Sequence, residues 1–377
     1  MSWSPQQDAA ITAVRKWLKN PRGQQVFRLF GYAGSGKTTL AKHLAEDVDG
    51  TVLYACFTGK AALVLRKKGC DGASTIHGLI YKALQDPVTG HTEFILNPDS
   101  PLATAALLVI DEVSMVGEEL AQDLLSFGIP VLVLGDPAQL PPVKGEGFFI
   151  NAEPDVMLTE IHRQAAENPI IRMSMDIREG RGLAVGRYGD SIVIARGSID
   201  KDRLREYVLQ SDQMLCGMNK TRQTFNARIR DLRGRAGSPE RWMPTKGDKL
   251  VCLKNNHTKG LLNGGLWQVE KTSNQHRNGS APTFEMQVSS LDSEGVIPLD
   301  VTVRHEFFLG SEKEIEWRER RKSDEFTYGD ALTVHKSQGS QWDNVLLYDE
   351  SGVFREDAAK HQYTGVTRAA ERVVVVV

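Results

Sequence analysis

Cysteine is scarce in this chain. Four residues of 377, Cys56, Cys70, Cys216 and Cys252, stand apart from one another, and none forms a CxxC pair. That spacing argues against a zinc centre and a disulfide framework, and the four read as small buried hydrophobes. Long apolar runs are missing too. None approaches the roughly 18 residues that a membrane span requires, and the opening "MSWSPQQDAAITAVRKW" lacks the apolar core of a secretory signal. A soluble intracellular protein of the cytoplasm, without a membrane partner, is the expectation. Charge of one sign is not in excess, since the formal net charge is −2. A surface coated in positive charge is thereby excluded, whereas a local basic groove for nucleic acid is not. No internal repeat or low-complexity stretch interrupts the chain.

What remains is ordinary globular material, 41% hydrophobic and 25% charged. The length exceeds a single core and implies two or more domains. Over residues 1–165, short apolar runs at 26–31, 51–56, 106–111, 131–136 and 156–160 alternate with helix patterns at 37–47, 59–69 and 117–126. Runs apolar along their whole length suit strands covered on both faces, and the alternation predicts an α/β fold with a parallel sheet. A second core begins near residue 166, with strands at 191–195 and 213–218 and helices at 201–210 and 220–232. Segments at 248–255, 266–272, 284–291 and 298–307 are short, partly alternating and split by Gly, Asn and Ser, which predicts a small all-β insertion. After residue 327 the α/β texture returns, with strands at 331–334, 344–349 and 372–377 and a helix near 357–370.

"GYAGSGKTT" (31–39) follows a strand, opens a helix and fits GxxxxGK[ST]. Its glycines let backbone N–H groups wrap phosphates, with the helix N-terminus adding partial positive charge. Gly34, Ser35, Gly36, Lys37, Thr38 and Thr39 form the expected nucleotide cradle, with Lys37 on the β- and γ-phosphates and Thr38 on Mg²⁺. "LLVIDEVSM" (107–115) puts Asp111 and Glu112 where a strand ends, which is where open α/β sheets bind ligands. Asp111 suits the metal's water shell and Glu112 the attacking water. Gln139 in "GDPAQLPP" and Arg163 in "IHRQ" follow the next two strands and suit charge stabilisation at the γ-phosphate.

The order of these motifs resembles the superfamily 1 helicases, and within them the RecD/Dda-like 1B branch. "SPQQDAAI", "GYAGSGKTT", "TGKAA" with "ASTIHGL", "IDEVSM", "GDPAQLPP", "HRQ", "LTVHKSQGSQWDNV" and "YTGVTRA" match that family's motifs in sequence. Tyr32 and Ser35 are less usual inside the first loop, and Cys56–Phe57 stands where the family has Ala-Pro.

The resemblance implies two RecA-like cores, 1–165 and 166–245 with 328–377, a β-hairpin insertion at 82–102 and an SH3-like insertion at 246–327. It implies that Gln7 reads adenine, that Arg368 is a second arginine finger, and that Gln338 and Gly339 face the nucleotide. It places His335, Lys336 and Ser337 on a phosphate backbone, with Lys60, Thr75 and His77 on DNA from the other core. Phe94 and His91 fall in the hairpin that splits the duplex. ATP and Mg²⁺ are the implied cofactors, single-stranded DNA and a duplex fork the partners, a monomer the state and 5′→3′ the direction of travel. An RNA helicase of the same superfamily, or a nucleotide-dependent switch that binds without unwinding, stays open at this point.

Overall fold

The computed structural model describes residues 3–20, 23–85, 92–142, 147–160, 167–235, 242–256, 258–273, 283–292 and 297–377. Its contacts divide the chain into two units. The first is Met1–Leu183 with Glu356–Thr367, the second Ala184–Arg355 with Arg368–Val377.

The first unit contains β1 (Val26–Gly31), β2 (Val52–Cys56), β3 (Ser74–Thr75), β4 (Tyr81–Gln85), β5 (Thr92–Leu96), β6 (Leu107–Asp111), β7 (Val131–Gly135) and β8 (Val156–Leu158). Six of these form a sheet ordered β3-β2-β6-β7-β1-β8, parallel throughout. The all-apolar runs are explained by its two covered faces. Val26, Phe30, Leu108, Ile110, Val131 and Val133 feed one core, and Phe27, Leu29, Leu107, Val109, Leu132 and Leu134 feed the other. Alternate residues of a strand point to opposite faces, so both sets must be apolar. The helix Pro5–Lys19 lays Ala10, Ile11, Val14 and Trp17 on the second core. Its start is fixed by a capping box between Ser4 and Gln7. β4 and β5 pair as an antiparallel hairpin between the helix Ile76–Ile80 and β6, in register Tyr81↔Leu96 and Ala83↔Phe94.

In the second unit lie β9 (Gly186–Tyr188), β10 (Ser191–Ile194), β11 (Gln213–Cys216), β12 (Lys249–Cys252), β13 (Leu266–Thr272), β14 (Thr283–Ser290), β15 (Leu299–Arg304), β16 (Phe326–Tyr328), β17 (Ala331–Thr333), β18 (Trp342–Tyr348) and β19 (Ala369–Val376). One sheet runs β17-β11-β18-β19-β10-β9 and is parallel except for the edge strand β9. The expected all-β insertion is a five-stranded antiparallel sheet ordered β15-β14-β13-β12-β16. It buries one face: Phe284, Met286 and Val288 alternate inward along β14 and Glu285 points out.

One expectation is corrected. The helix near 357–370 ends at Val366. The residues beyond it are drawn into β19, where Ala369 pairs with Trp342 and the Trp342 N–H donates to the Arg368 carbonyl at 2.9 Å. The helices Pro169–Arg178 and Ala358–Val366 pack on each other in the first unit. Among the described residues no helix is long and apolar enough to cross a membrane.

The insertion is tied to its own unit by a buried ion pair. Arg230, on the helix Asn219–Leu232, reaches both carboxylate oxygens of Asp248 at 3.1–3.2 Å, donates to the Met243 carbonyl at 2.8 Å and lies over the Tyr328 ring. Both charged side chains are buried, so removing one strands the other. Arg230→Ala is expected to cost about 3–5 kcal/mol. Urea unfolding of the whole chain, with tryptophan fluorescence reporting on Trp267, checks this, and a midpoint equal to the parent's would contradict it.

Candidate functional site

The parallel register carries the strand ends of the first unit to one edge. Phe30 pairs with Gly135, Gly31 with Leu158 and Cys56 with Asp111. The phosphate loop leaves β1 at Gly31, where a Cβ would lie 2.6 Å from the Ser35 hydroxyl and 2.9 Å from Leu158. Gly34 and Gly36 both adopt φ of 79°, which a side chain rarely tolerates. Lys37 folds back over the loop, its ammonium 2.6 Å from the Gly31 carbonyl and 3.0 Å from that of Tyr32. These two carbonyls hold the amine over the loop. Thr39 is exposed one residue beyond Thr38.

Thr38 and Asp111 lie side by side. The Thr38 hydroxyl donates to Asp111 Oδ2 at 2.8 Å, and the Glu112 N–H donates to Asp111 Oδ1 at 2.8 Å. A hydroxyl and one carboxylate, all oxygen, make a donor set that suits Mg²⁺ held together with phosphate and water. Glu112 itself sits at φ 57°, ψ 48°. A non-glycine residue in that region is strained by about 1–3 kcal/mol. Gln139 follows β7, and its Oε1 is buried with no hydrogen-bond partner among the described residues. An open acceptor of this kind suits a water.

Gln7, expected on adenine, is buried and doubly used. Its Oε1 accepts from the Ser4 N–H at 3.1 Å, and its Nε2 donates to the Ser35 carbonyl at 3.1 Å. It therefore links the first helix to the phosphate loop. Arg163 and His91 lie outside the described residues.

The remaining first-unit candidates separate by exposure. Thr75 is buried and caps the helix Ile76–Ile80, accepting from the Gly78 N–H at 3.0 Å, and Lys60 is buried in the helix Gly59–Lys67. His77 is exposed and lies between Phe57 and Tyr81, with ring centroids 6.2 and 5.6 Å away. Desolvation lowers its pKa, so it is neutral at neutral pH and offers a ring rather than a charge. Phe94 on β5 is 68% exposed, a large apolar ring in solvent on the hairpin.

In the second unit, His335, Lys336 and Ser337 form a 3₁₀ turn after β17. Ser337 is 0% exposed and its hydroxyl donates to the Val334 carbonyl at 2.7 Å, which closes the turn. His335 lies 5.5 Å from the Phe354 ring. Gln338 is buried, and Gly339 takes φ of 75°. Arg368 is buried at the start of β19, with Nη1 3.3 Å from the Ser340 carbonyl. Lys336 is exposed as a residue, yet its ammonium is crowded, and desolvation and then Arg222 push its pKa down to about 8.

Comparison with known proteins fits this arrangement. Residues 3–198, more than half of the chain, match the family described as an AAA domain, and residues 328–376 match the UvrD-like helicase C-terminal domain. The ATP-dependent RecD2 DNA helicase of Deinococcus radiodurans is 29% identical over 380 residues, covering 93% of this chain and 46% of that protein. The chain thus spans less than half the length of that relative. The chain belongs to the AAA-domain family, and its two domain matches with the RecD2 relative make it similar to the RecD/Pif1-like helicases of superfamily 1B. Two solved Pif1 helicases share its fold. The Bacteroides protein bound to single-stranded DNA has a TM-score of 0.55 at 19% identity, covering 100% of this chain and 92% of that one. The Candida albicans protein has 0.52 at 16%, covering 100% and 95%.

Against the superfamily 1B pattern, the unusual loop residues have local reasons. Tyr32 lies under the Arg178 guanidinium, 3.6 Å from ring centroid to carbon. Ser35 is buried and its hydroxyl donates to the Tyr32 carbonyl at 2.8 Å. Cys56 is buried, and burial holds its thiol well above the usual range, so it is a packing residue. Sequence reasoning missed Arg178, which lies on the helix Pro169–Arg178, and it missed Tyr363. The superfamily 1B motifs carry no signal for Arg178, whereas Tyr363 stood inside "YTGVTRA" unassigned.

Lys336 should titrate near pH 8, and Arg222→Gln should move its midpoint upward by removing the neighbouring charge. A pH titration of methyl-labelled lysines by NMR checks both. A midpoint at the ordinary lysine value in the parent would contradict the crowding.

Proposed function

We propose that this chain is an ATP-driven DNA helicase and translocase that moves 5′→3′ on single-stranded DNA and opens duplex ahead of it. The observation that carries this reading is the strained Glu112 beside the Thr38–Asp111 pair, next to a formed phosphate loop. Holding nucleotide without turnover needs no carboxylate fixed in a strained conformation at the γ-phosphate end. DNA as the polymer is supported by similarity to a relative named as a DNA helicase.

In this reading Lys37 exchanges its loop carbonyls for the β- and γ-phosphates of ATP. Thr38 and Asp111 would hold Mg²⁺, which neutralises phosphate charge when bound. Glu112 takes the proton of the attacking water, and Gln139 orients that water through its open acceptor. Arg163 and Arg368 supply positive charge matched to the transition state. Lys336 and His335 contact the DNA backbone, and His77 with its flanking rings offers bases a stacking surface. The antiparallel sheet of the second unit is read as the SH3-like insertion of the branch, and the β4–β5 hairpin as the wedge. The protein works as a monomer.

ATP turnover with and without single-stranded DNA or RNA, and opening of duplexes with 5′ or 3′ tails, test the proposal. Stimulation by DNA and opening of the 5′-tailed duplex are expected. Stimulation by RNA alone would favour the RNA helicase, and turnover without unwinding of either duplex the switch. Lys37→Ala should abolish turnover. Glu112→Gln should lower kcat by about 100-fold or more with little change in ATP affinity, as loss of a general base does. Parent-like turnover in Glu112→Gln would remove Glu112 from its role.

The hairpin gives a separate expectation. Phe94→Ala should leave DNA-stimulated turnover near normal and slow duplex opening by about tenfold, since stacking on an aromatic ring is worth about 1–3 kcal/mol. Equal unwinding rates would assign the wedge elsewhere.

A further inference from the structure

We infer that Tyr363 is a positioning residue for ATP turnover, its hydroxyl joining the phosphate loop to the loop that carries Gln139. The inference rests on the ATPase reading above. Tyr363 lies on the helix Ala358–Val366 and is 1% exposed. The Ala33 N–H, in the middle of the phosphate loop, donates to its hydroxyl at 2.9 Å. The hydroxyl donates in turn to Asp136 Oδ2 at 2.7 Å. A phenol has a single proton to give. Ala33 brings its own hydrogen, so the proton of Tyr363 goes to Asp136 and the direction of both bonds is fixed.

Asp136 passes this constraint on. Its other oxygen accepts from the Ala138 N–H at 3.0 Å, and its carbonyl accepts from the Gln139 N–H at 3.1 Å. The turn that presents Gln139 is thus built on the residue that Tyr363 grips. The next residue of the helix adds a second hold, because the Leu140 N–H donates to the Thr364 hydroxyl at 2.9 Å. All of these groups lie within the first unit. Burial and the nearby Asp136 keep the phenol protonated far above the working pH, so the donor persists.

None of these atoms reaches substrate by itself. Tyr363 acts through Ala33 on the cradle and through Asp136 on Gln139. Removing the hydroxyl leaves the ring packed and loosens both loops at once. A role confined to folding would lower the melting temperature and leave the rate of the folded enzyme alone. A positioning role lowers kcat more than it changes KM.

Tyr363→Phe, Asp136→Asn and the double variant of the full chain test this by initial rates against ATP concentration, with single-stranded DNA present and below the melting temperature of each. Tyr363→Phe is expected to lose about tenfold in kcat with KM within about threefold, the size of one hydrogen bond to a charged group. The double variant should be no slower than the worse single one, because both changes break the same bond. Parent-like kcat in Tyr363→Phe, or losses that multiply in the double variant, would overturn the inference. Should Tyr363→Phe unfold below the assay temperature, Asp136→Asn carries the test, and a parent-like rate there overturns it. A parent that does not turn over ATP would overturn the functional reading and this inference with it, whereas an active parent matched by Tyr363→Phe overturns this inference alone.

Discussion

The first unit depends on the parallel register of β1, β6 and β7. Each of these strands is covered on both faces, and alternate residues serve different cores, so a slip of one residue would exchange every side chain between them. The pairing Phe30↔Gly135 and the buried positions of Leu29, Ile110 and Val133 therefore fix where each strand stops. The site is a product of those stops. Thr38 and Asp111 are 73 residues apart in sequence, and no local preference brings them to 2.8 Å. The sheet does it by ending three strands on one edge, where loops can be polar without burying unpaired groups.

At that edge few polar groups serve a single purpose. Gln7 caps its own helix and steadies the phosphate loop. Ser35 packs, donates to Tyr32 and receives Gln7. Asp111 accepts from both Thr38 and the Glu112 backbone. Shared partners make such groups strongly coupled, so substitutions among them are not expected to add independently. The backbone of Glu112 is held in the same place by its N–H bond to Asp111 Oδ1.

The sheets were legible because strand-length runs apolar throughout suit strands covered on both faces. The nucleotide loop was legible because its chemistry demands Gly, Lys and Thr at fixed local spacing. Legibility failed where direction or distance mattered. Ser337 occupies the expected turn, but spacing along a motif cannot say that its hydroxyl points inward to Val334. Residues 367–370 look helical because Ala and Arg favour helices, and pairing with β18 overrides that preference. The Tyr363–Asp136 bond spans 227 residues and leaves no trace in either local sequence. The insertion was read correctly as β but only its alternation was visible. The ion pair of Arg230 with Asp248 that anchors it was not, since both residues look like ordinary surface charges.

The placement of Glu356–Thr367 in the first unit has a consequence for biosynthesis. A chain emerging from the ribosome folds largely in order, N-terminal domains first. Here the helix that completes the first unit is translated after β18, and so after almost all of the second unit. Until then the Asp136 carboxylate and the Leu140 N–H lack Tyr363 and Thr364, and the surface of the helix Pro169–Arg178 that those residues' helix covers is open. The nascent first unit is therefore an unfinished body through most of translation, and it is sealed by a segment flanked on both sides by its neighbour's chain.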